Sequence, residues 1–209
     1  MRTRTGIQRI ILAASTALGA LASALALAQA EPAEAFVRRI SNDMLESIKA
    51  DKSMQAGDVR KLAVLVDLKV MPSLNFERMT ASAVGKYWRQ ASPAQKDRLQ
   101  TEFKDLLVRT YAGALAQVRD QRIEVKPARG NAGDTELVVR TEVRGAGDPV
   151  QLDYRLEYAE SGWRIYDVNI MGVWLVENYR GSFSQEIANT GIDGLIAKLS
   201  AKNKAASRL

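Results

Sequence analysis

The feature that most constrains this fold is a change in the spacing of apolar residues near Ile123. Before that point, apolar side chains recur every three or four positions, which is the period of an amphipathic helix. After it they alternate with polar neighbours at every second position, which is the period of a half-buried strand. Because the helices come first and the strands follow as one block, the sequence predicts an α+β fold.

The first half of the chain contains capping residues typical of helix ends. Ser92 and Gln95 have the spacing of a capping box with a proline between them, so a long helix is expected after Ser92. Asn75 is a suitable cap for a shorter helix, and Gly85 is a suitable end for it. The predicted helices are 32–48, 59–70, 75–85 and 93–118, followed after the strands by 173–189 and 191–199.

The second half predicts about four strands joined by short connections. Such connections favour an antiparallel meander, because parallel pairing requires a crossover of a dozen or more residues. In the last strand, Val168 and Ile170 alternate on one face while Trp163 and Ile165 fall on the other, so its core-facing side is ambiguous. The predicted strands are 123–125, 135–143, 150–158 and 163–170.

The chain contains neither cysteine nor histidine, which narrows the chemistry it can perform. A thiol nucleophile, a thiolate metal site, a Ser/His triad and most zinc sites are excluded. Asp153 and Asp167 remain as acid/base candidates, but the first lies on a polar strand face and the second is expected to pair locally. The sequence therefore predicts no catalytic and no metal-binding residues.

The amino terminus has the layout of a secretory signal peptide. Three arginines precede an acid-free apolar run from residue 10 to 27, and Ala28-Gln29-Ala30 provides a small-x-small cleavage site. We expect cleavage after Ala30, which leaves a single domain over residues 31–209. A retained membrane anchor is the alternative, because the run is about long enough to cross a bilayer.

The charge of the remaining domain is modest. The leader contains three of the 30 basic residues and none of the 24 acidic ones, so residues 31–209 carry 27 basic against 24 acidic side chains, a net charge of +3. This balance is compatible with weak attraction to an anionic membrane surface. It does not provide the dense basic stripe of a nucleic-acid binder, so no nucleic-acid partner is expected.

Motifs spread over both halves of the chain follow one family pattern in order and spacing. They read VMPSLNFERMT at 70–80, GKYWRQASPAQ at 85–95, WRIYDV at 163–168, GVWLVENYR at 172–180 and GIDGLI at 191–196, with 103–111 and Phe183 between them. In these segments the chain resembles the MlaC family of periplasmic phospholipid-binding proteins. It departs from the pattern at Asn75, where Asp is usual, and at Trp174, where a small residue is common.

The resemblance implies a nuclear-transport-factor-like fold, in which helices at both ends of the chain wrap a curved antiparallel sheet and enclose an apolar cavity. It implies a non-enzymatic periplasmic carrier that maintains outer-membrane lipid asymmetry, with a diacyl phospholipid as cargo and no cofactor. The implied partners are an outer-membrane lipoprotein–porin complex and an inner-membrane ABC transporter bearing an MCE (mammalian cell entry) domain, each docked transiently. Periodicity alone does not distinguish a cavity from a solid core, which is the more common arrangement.

The candidate lipid-binding residues come from the two halves on different grounds. The family motifs suggest Met71, Leu74, Phe76, Met79, Trp88, Leu106, Tyr111, Val173, Trp174, Leu175 and Tyr179. Strand alternation adds Val139, Leu152, Tyr154, Val168 and Ile170. Arg89 and Arg180 are candidates for the head group, because a guanidinium pairs well with phosphate oxygens.

Two other functions remain open from the sequence. One is a small-substrate isomerase or dehydratase on a similar cone-shaped fold, with Asp167 or Tyr166 moving the proton. The other is a periplasmic lipoprotein chaperone that holds acyl chains attached to protein.

We expect the secreted protein to begin at Glu31. Its intact mass, measured after expression with the leader, should equal that of residues 31–209, because signal peptidase cuts after a small-x-small site. Replacing Ala28 with Arg should block this cleavage. Recovery of the uncleaved wild-type chain in the membrane fraction would instead support the retained anchor.

Overall fold

The computed structural model describes residues 31–128 and 133–206, so the predicted signal peptide and its cleavage site lie outside the described residues. Within these ranges, no helix is both long and apolar enough to span a membrane. The helices are α1 Ala33–Ala50, α2 Lys52–Gln55, α3 Val59–Leu65, α4 Phe76–Val84, α5 Pro93–Leu115 and α6 Leu175–Ala206, with a π-helical turn at Val66–Val70 and 3-10 turns at Met71–Ser73 and Gly85–Gln90. The strands are β1 Arg122–Val125, β2 Glu136–Arg144, β3 Val150–Ala159, β4 Gly162–Ile170 and β5 Val173–Trp174.

Side-chain caps fix the starts of α4 and α5. The Ser92 hydroxyl accepts the Gln95 amide N–H and the Gln95 side chain accepts the Ser92 N–H, which completes the predicted capping box of α5. Asn75 Oδ1 accepts the Arg78 amide N–H at the start of α4. Gly85 ends α4 at φ 66°, a conformation that favours glycine.

The five strands form one antiparallel sheet in the order β1-β2-β3-β4-β5. The predicted α+β meander with helices at both ends is therefore confirmed. The last helix was predicted to include Val173 and Trp174, which is wrong, because these residues pair with Ile170 and Asn169 as a short fifth strand. Helix α6 then begins at Leu175 and bends at Gly191, where φ is 77°.

A β-bulge resolves the ambiguous alternation of β4. Arg155 pairs with Asp167, whereas its neighbour Leu156 pairs with Ile165, so Tyr166 is the extra residue of the bulge. Directly paired residues share a face of the sheet. The bulge therefore places Ile165 on the same apolar face as Val168, although the two positions have opposite parity in the sequence.

The largest apolar cluster lies between α4, α5 and α6. Phe103 is fully buried at its centre, and its ring centroid is 5.8 Å from that of Phe76, 5.1 Å from Tyr179 and 5.2 Å from Phe183. A second cluster joins α1 to the sheet through residues such as Val139. A third joins the end of α1 to α3 and to the end of α5.

We expect Phe103→Ala to lower the free energy of unfolding by about 3–5 kcal/mol, because it removes the ring that three other rings contact and leaves a cavity. Leu68→Ala is the matched control, since this leucine is 70% exposed and its loss should cost at most about 0.5 kcal/mol. Urea denaturation of both variants measures the difference. Equal losses would contradict the central position of Phe103.

Candidate functional site

The apolar face of the sheet and the surrounding helices do not pack together everywhere, and they leave a cavity of about 280 Å³. Its wall is almost entirely hydrocarbon, because α1, α5 and the turns before α4 each present an apolar stripe to it. The lining residues are Val37, Ile40, Ser41, Met44, Leu45, Ile48, Val66, Val70, Met71, Leu74, Phe76, Met79, Lys104, Leu107, Val108, Tyr111, Leu115, Ile123, Val143, Leu152, Tyr154, Ile165, Val168 and Leu175.

The floor of the cavity is set by the strand register. Tyr154 pairs with Val168 on β4, and Ile123 pairs with Val143 across β1 and β2, so each pair projects from one face. Desolvation raises the pKa of the Tyr154 phenol, and burial also raises the pKa of Tyr111. Both phenols are consequently neutral near pH 7, and they add no charge to the cavity.

Helix α5 supplies the opposite wall and has two apolar faces. Leu99, Phe103 and Leu106 pack into the cluster between α4, α5 and α6. Leu107 and Tyr111, at positions four apart, line the cavity, and Leu107 also packs against the edge of that cluster. Side chains three or four apart share a helix face, so the step from 106 to 107 crosses from the core to the cavity.

The structure brings together many of the predicted lipid-binding residues from both halves of the chain. Those that line the cavity are Met71, Leu74, Phe76, Met79, Tyr111, Leu152, Tyr154, Val168 and Leu175. Their contact with a ligand stays a prediction. Their convergence follows from the turns before α4, which pass beside β4 and bond to it through the Asn75 N–H and the Ile165 carbonyl.

The other predicted residues lie outside the cavity lining. Leu106 belongs to the core of the helices, Trp88 and Tyr179 pack against that core, and Val139 is buried between the sheet and α1. The remaining three residues lie at the end of the sheet. Ile170 pairs with Val173, which is half exposed. Trp174 pairs with Asn169 on the opposite face, and its ring centroid lies 3.9 Å from the Arg155 guanidinium carbon.

Neither predicted head-group arginine lines the cavity. Arg89 is exposed on the 3-10 turn after α4. Arg180 is exposed on α6, beside Gly85, where the methyl group of an alanine would lie 3.6 Å from the guanidinium Nε. That distance is an ordinary van der Waals contact, so the φ of 66° favours glycine here and the arginine does not require it.

Sequence reasoning missed the contribution of α1 and of one charged residue. The apolar spacing of residues such as Ile40 and Met44 predicts the helix, but spacing does not show that this helix face borders a cavity. Ile123 and Val143 were recognised as strand residues and are joined to the site only by the register. Lys104 also lines the cavity, and a charged side chain gave no sign of this in the sequence.

The acidic candidates lie on the opposite face of the sheet. Buried Asp167 accepts the Val168 and Val176 N–H groups at 2.9 and 3.1 Å and an Arg155 N–H at 3.0 Å. Burial raises the pKa of Asp167, and the two backbone donors and Arg155 oppose that rise. The carboxylate thus ties the start of α6 to the sheet.

The other polar candidates and possible metal ligands also lie away from the cavity. Asp153 pairs with Asn169, and Tyr166 donates to Glu136 at 3.1 Å beneath the Arg78 guanidinium. None of these side chains lines the cavity. In the described part of the chain, no group of three or more His, Cys, Asp or Glu side chains is placed to hold a metal ion.

We expect neighbouring leucines of α5 to respond differently to truncation. Leu106→Ala should lower the free energy of unfolding by about 2–5 kcal/mol, because the packed core cannot fill the space. Leu107→Ala should cost about half as much or less, because its side chain already borders a void and has fewer packing contacts to lose. Chemical denaturation tests this order, and a larger loss for Leu107→Ala would contradict the two-faced helix.

Comparison with known proteins agrees with this architecture. The family model described as "MlaC protein" matches residues 38–201. The chain is 24% identical over 183 residues to the "intermembrane phospholipid transport system binding protein MlaC" of Haemophilus influenzae, which covers 86% of this chain and 85% of that protein. It is 28% identical over 160 residues to the "toluene tolerance protein ttg2D" of Pseudomonas putida, covering 75% and 74% of the two chains.

A solved structure is more similar still in sequence. The phospholipid-binding protein of Ralstonia solanacearum, solved in complex with a phospholipid, is 44% identical. It superposes with a TM-score of 0.81 over 84% of this chain and 98% of that chain. Since the family model spans most of the domain, the chain belongs to the MlaC family.

Proposed function

We propose that this protein is a periplasmic phospholipid carrier that holds the acyl tails in its cavity and leaves the head group at the surface. The observation that carries the proposal is the cavity itself, whose wall is almost entirely apolar and is built by both the helices and the sheet. An apolar wall of this kind favours hydrocarbon over water. The family membership and the 44% identical phospholipid complex support the same function.

The energetics explain why a carrier needs an enclosed site. Each buried methylene contributes about 0.8 kcal/mol, so exposing two chains of about 15 carbons to water would cost on the order of 20 kcal/mol or more. Transfer from a bilayer into an apolar cavity exchanges one hydrocarbon environment for another and is close to neutral. Loading and unloading then require no covalent step in this chain.

The absence of a catalytic role is part of the proposal. An isomerase or dehydratase on this fold would need a proton-handling group directed at the substrate. Asp167 is instead bonded to Arg155 and to two backbone N–H groups on the far side of the sheet, and Tyr166 is bonded to Glu136. This arrangement supports a binding protein.

The predicted leader and the family membership support a proposed location and proposed partners. After signal-peptide cleavage the protein would act in the periplasm and maintain outer-membrane lipid asymmetry. It would dock in turn on an outer-membrane lipoprotein–porin complex and on an inner-membrane ABC transporter with an MCE domain. The ATP-driven partner would supply the energy for directional transport, because the free energy of lipid exchange between bilayer and carrier is close to zero.

Native mass spectrometry of the gently purified protein, followed by lipid extraction, tests the proposal. We expect one diacyl phospholipid bound to each monomer. A co-purified acylated protein would instead favour a lipoprotein chaperone. A protein that contains no lipid and takes none from vesicles would overturn the carrier function.

A matched pair of substitutions on β2 tests the cavity. Val143→Glu places a charge in the cavity wall and should reduce co-purified phospholipid about tenfold or more, because an unpaired charge against acyl chains is costly. Val138→Glu introduces the same charge on the opposite, exposed face and should retain the lipid. Equal lipid contents in two folded variants would contradict this assignment of the site.

A further inference from the structure

Lys104 is the one charged residue in the cavity lining of the described chain. It lies on the same face of α5 as Leu107, Val108 and Tyr111, which follow it at three, four and seven positions. Its methylene stem therefore belongs to the apolar wall. A lysine stem can cover apolar surface while its ammonium group reaches water.

The ammonium group marks a point where the cavity meets solvent. Lys104 Nζ lies 2.7 Å from Asp67 Oδ1, and the two side chains are 23% and 48% exposed. Asp67 is in the π-helical turn, whose Val66 and Val70 also line the cavity. The ion pair thus spans from α5 to the turn at the edge of the cavity.

This ion pair is weak enough to exchange partners. Pairs with this degree of exposure contribute at most about 1 kcal/mol, because water solvates both charges. Asp67 can turn into solvent at little cost, since nearly half of its side chain is already exposed. An anion delivered from the cavity side can then take its place on Nζ.

The length of the cavity wall matches that of an acyl chain. Lys104 and Leu115 are the first and last lining residues of α5, and eleven residues of helix span about 16 Å. One leaflet of a bilayer has about half of a 30 Å hydrocarbon core, or about 15 Å. A lipid whose tails reach Leu115 therefore has its phosphate at the level of Lys104.

We propose that Lys104 binds the phosphate of the cargo lipid, with Asp67 as the exchangeable counterion of the empty carrier. This inference rests on the proposed function and adds a polar contact to it. Lysine acts as a point charge and does not read shape, so it distinguishes lipids that have a phosphate from lipids that lack one. Lys104 therefore does not distinguish one phospholipid head group from another.

The test is competition between phosphatidylglycerol and diacylglycerol with identical acyl chains. Vesicles containing both lipids are mixed with delipidated protein, and native mass spectrometry gives the ratio of the two bound lipids. We expect Lys104→Gln to lower the ratio of phospholipid to diacylglycerol about fivefold, while total lipid occupancy is retained. Lys104→Arg should keep the ratio, and Asp67→Asn should raise it because the competing carboxylate is gone.

Lys69→Gln is the matched control, since it removes the same charge from an exposed position on the same turn. It should leave the ratio unchanged. An equal fall in both glutamine variants, or no fall in Lys104→Gln, would overturn the proposal. Failure of the wild-type protein to take up either lipid would overturn the carrier function itself.

Inorganic phosphate in excess distinguishes the source of the anion. A ratio that does not change on its addition supports a phosphate held in place by its tails. Inorganic phosphate that binds the delipidated wild-type protein but not Lys104→Gln, together with a lipid ratio that is equal in the two proteins, would assign the site to free phosphate and overturn the lipid as its ligand.

Discussion

The cavity depends on helix α5 being held firmly by one of its two apolar faces. Phe103 and Leu106 lock that face into the aromatic cluster with α4 and α6. Because the helix is held there, its other face cannot move onto the sheet and close the space. The packed core thus maintains an unpacked site beside it, which a single-sided amphipathic helix could not do.

The bulge in β4 determines which side chains of that strand face the floor of the cavity. It brings Ile165 and Val168 to one face, and it leaves Asp167 on the other, where Arg155 and the start of α6 satisfy the carboxylate. The buried charge is therefore separated from the hydrocarbon lining by the sheet. Had the strand been regular, either an apolar side chain would face away from the site or a carboxylate would point into it. An almost uniformly apolar wall favours apolar groups through buried area alone, so it needs no directional contact to them.

The local sequence determined most of the secondary structure. Ser92 with Gln95, Asn75 and Gly85 mark helix ends through short-range hydrogen bonds and backbone geometry, and alternation defined the strands because side-chain direction follows directly from strand pleating. The same local rules identified the apolar face of β3, including Leu152 and Tyr154. These features depend on neighbours in the chain, so they can be read from it.

Only the tertiary structure decided which apolar side chains surround empty space. Leu106 and Leu107 are chemically identical neighbours, yet the first fills the core and the second faces the cavity, because helix orientation is set by distant partners on α4 and α6. The same holds for Lys104, whose ammonium group at the cavity edge pairs with Asp67 on another element, and for Ile165, whose face of the sheet depends on a bulge. Periodicity predicts which side chains face the interior, and the packing between elements determines whether they contact the core or line the cavity.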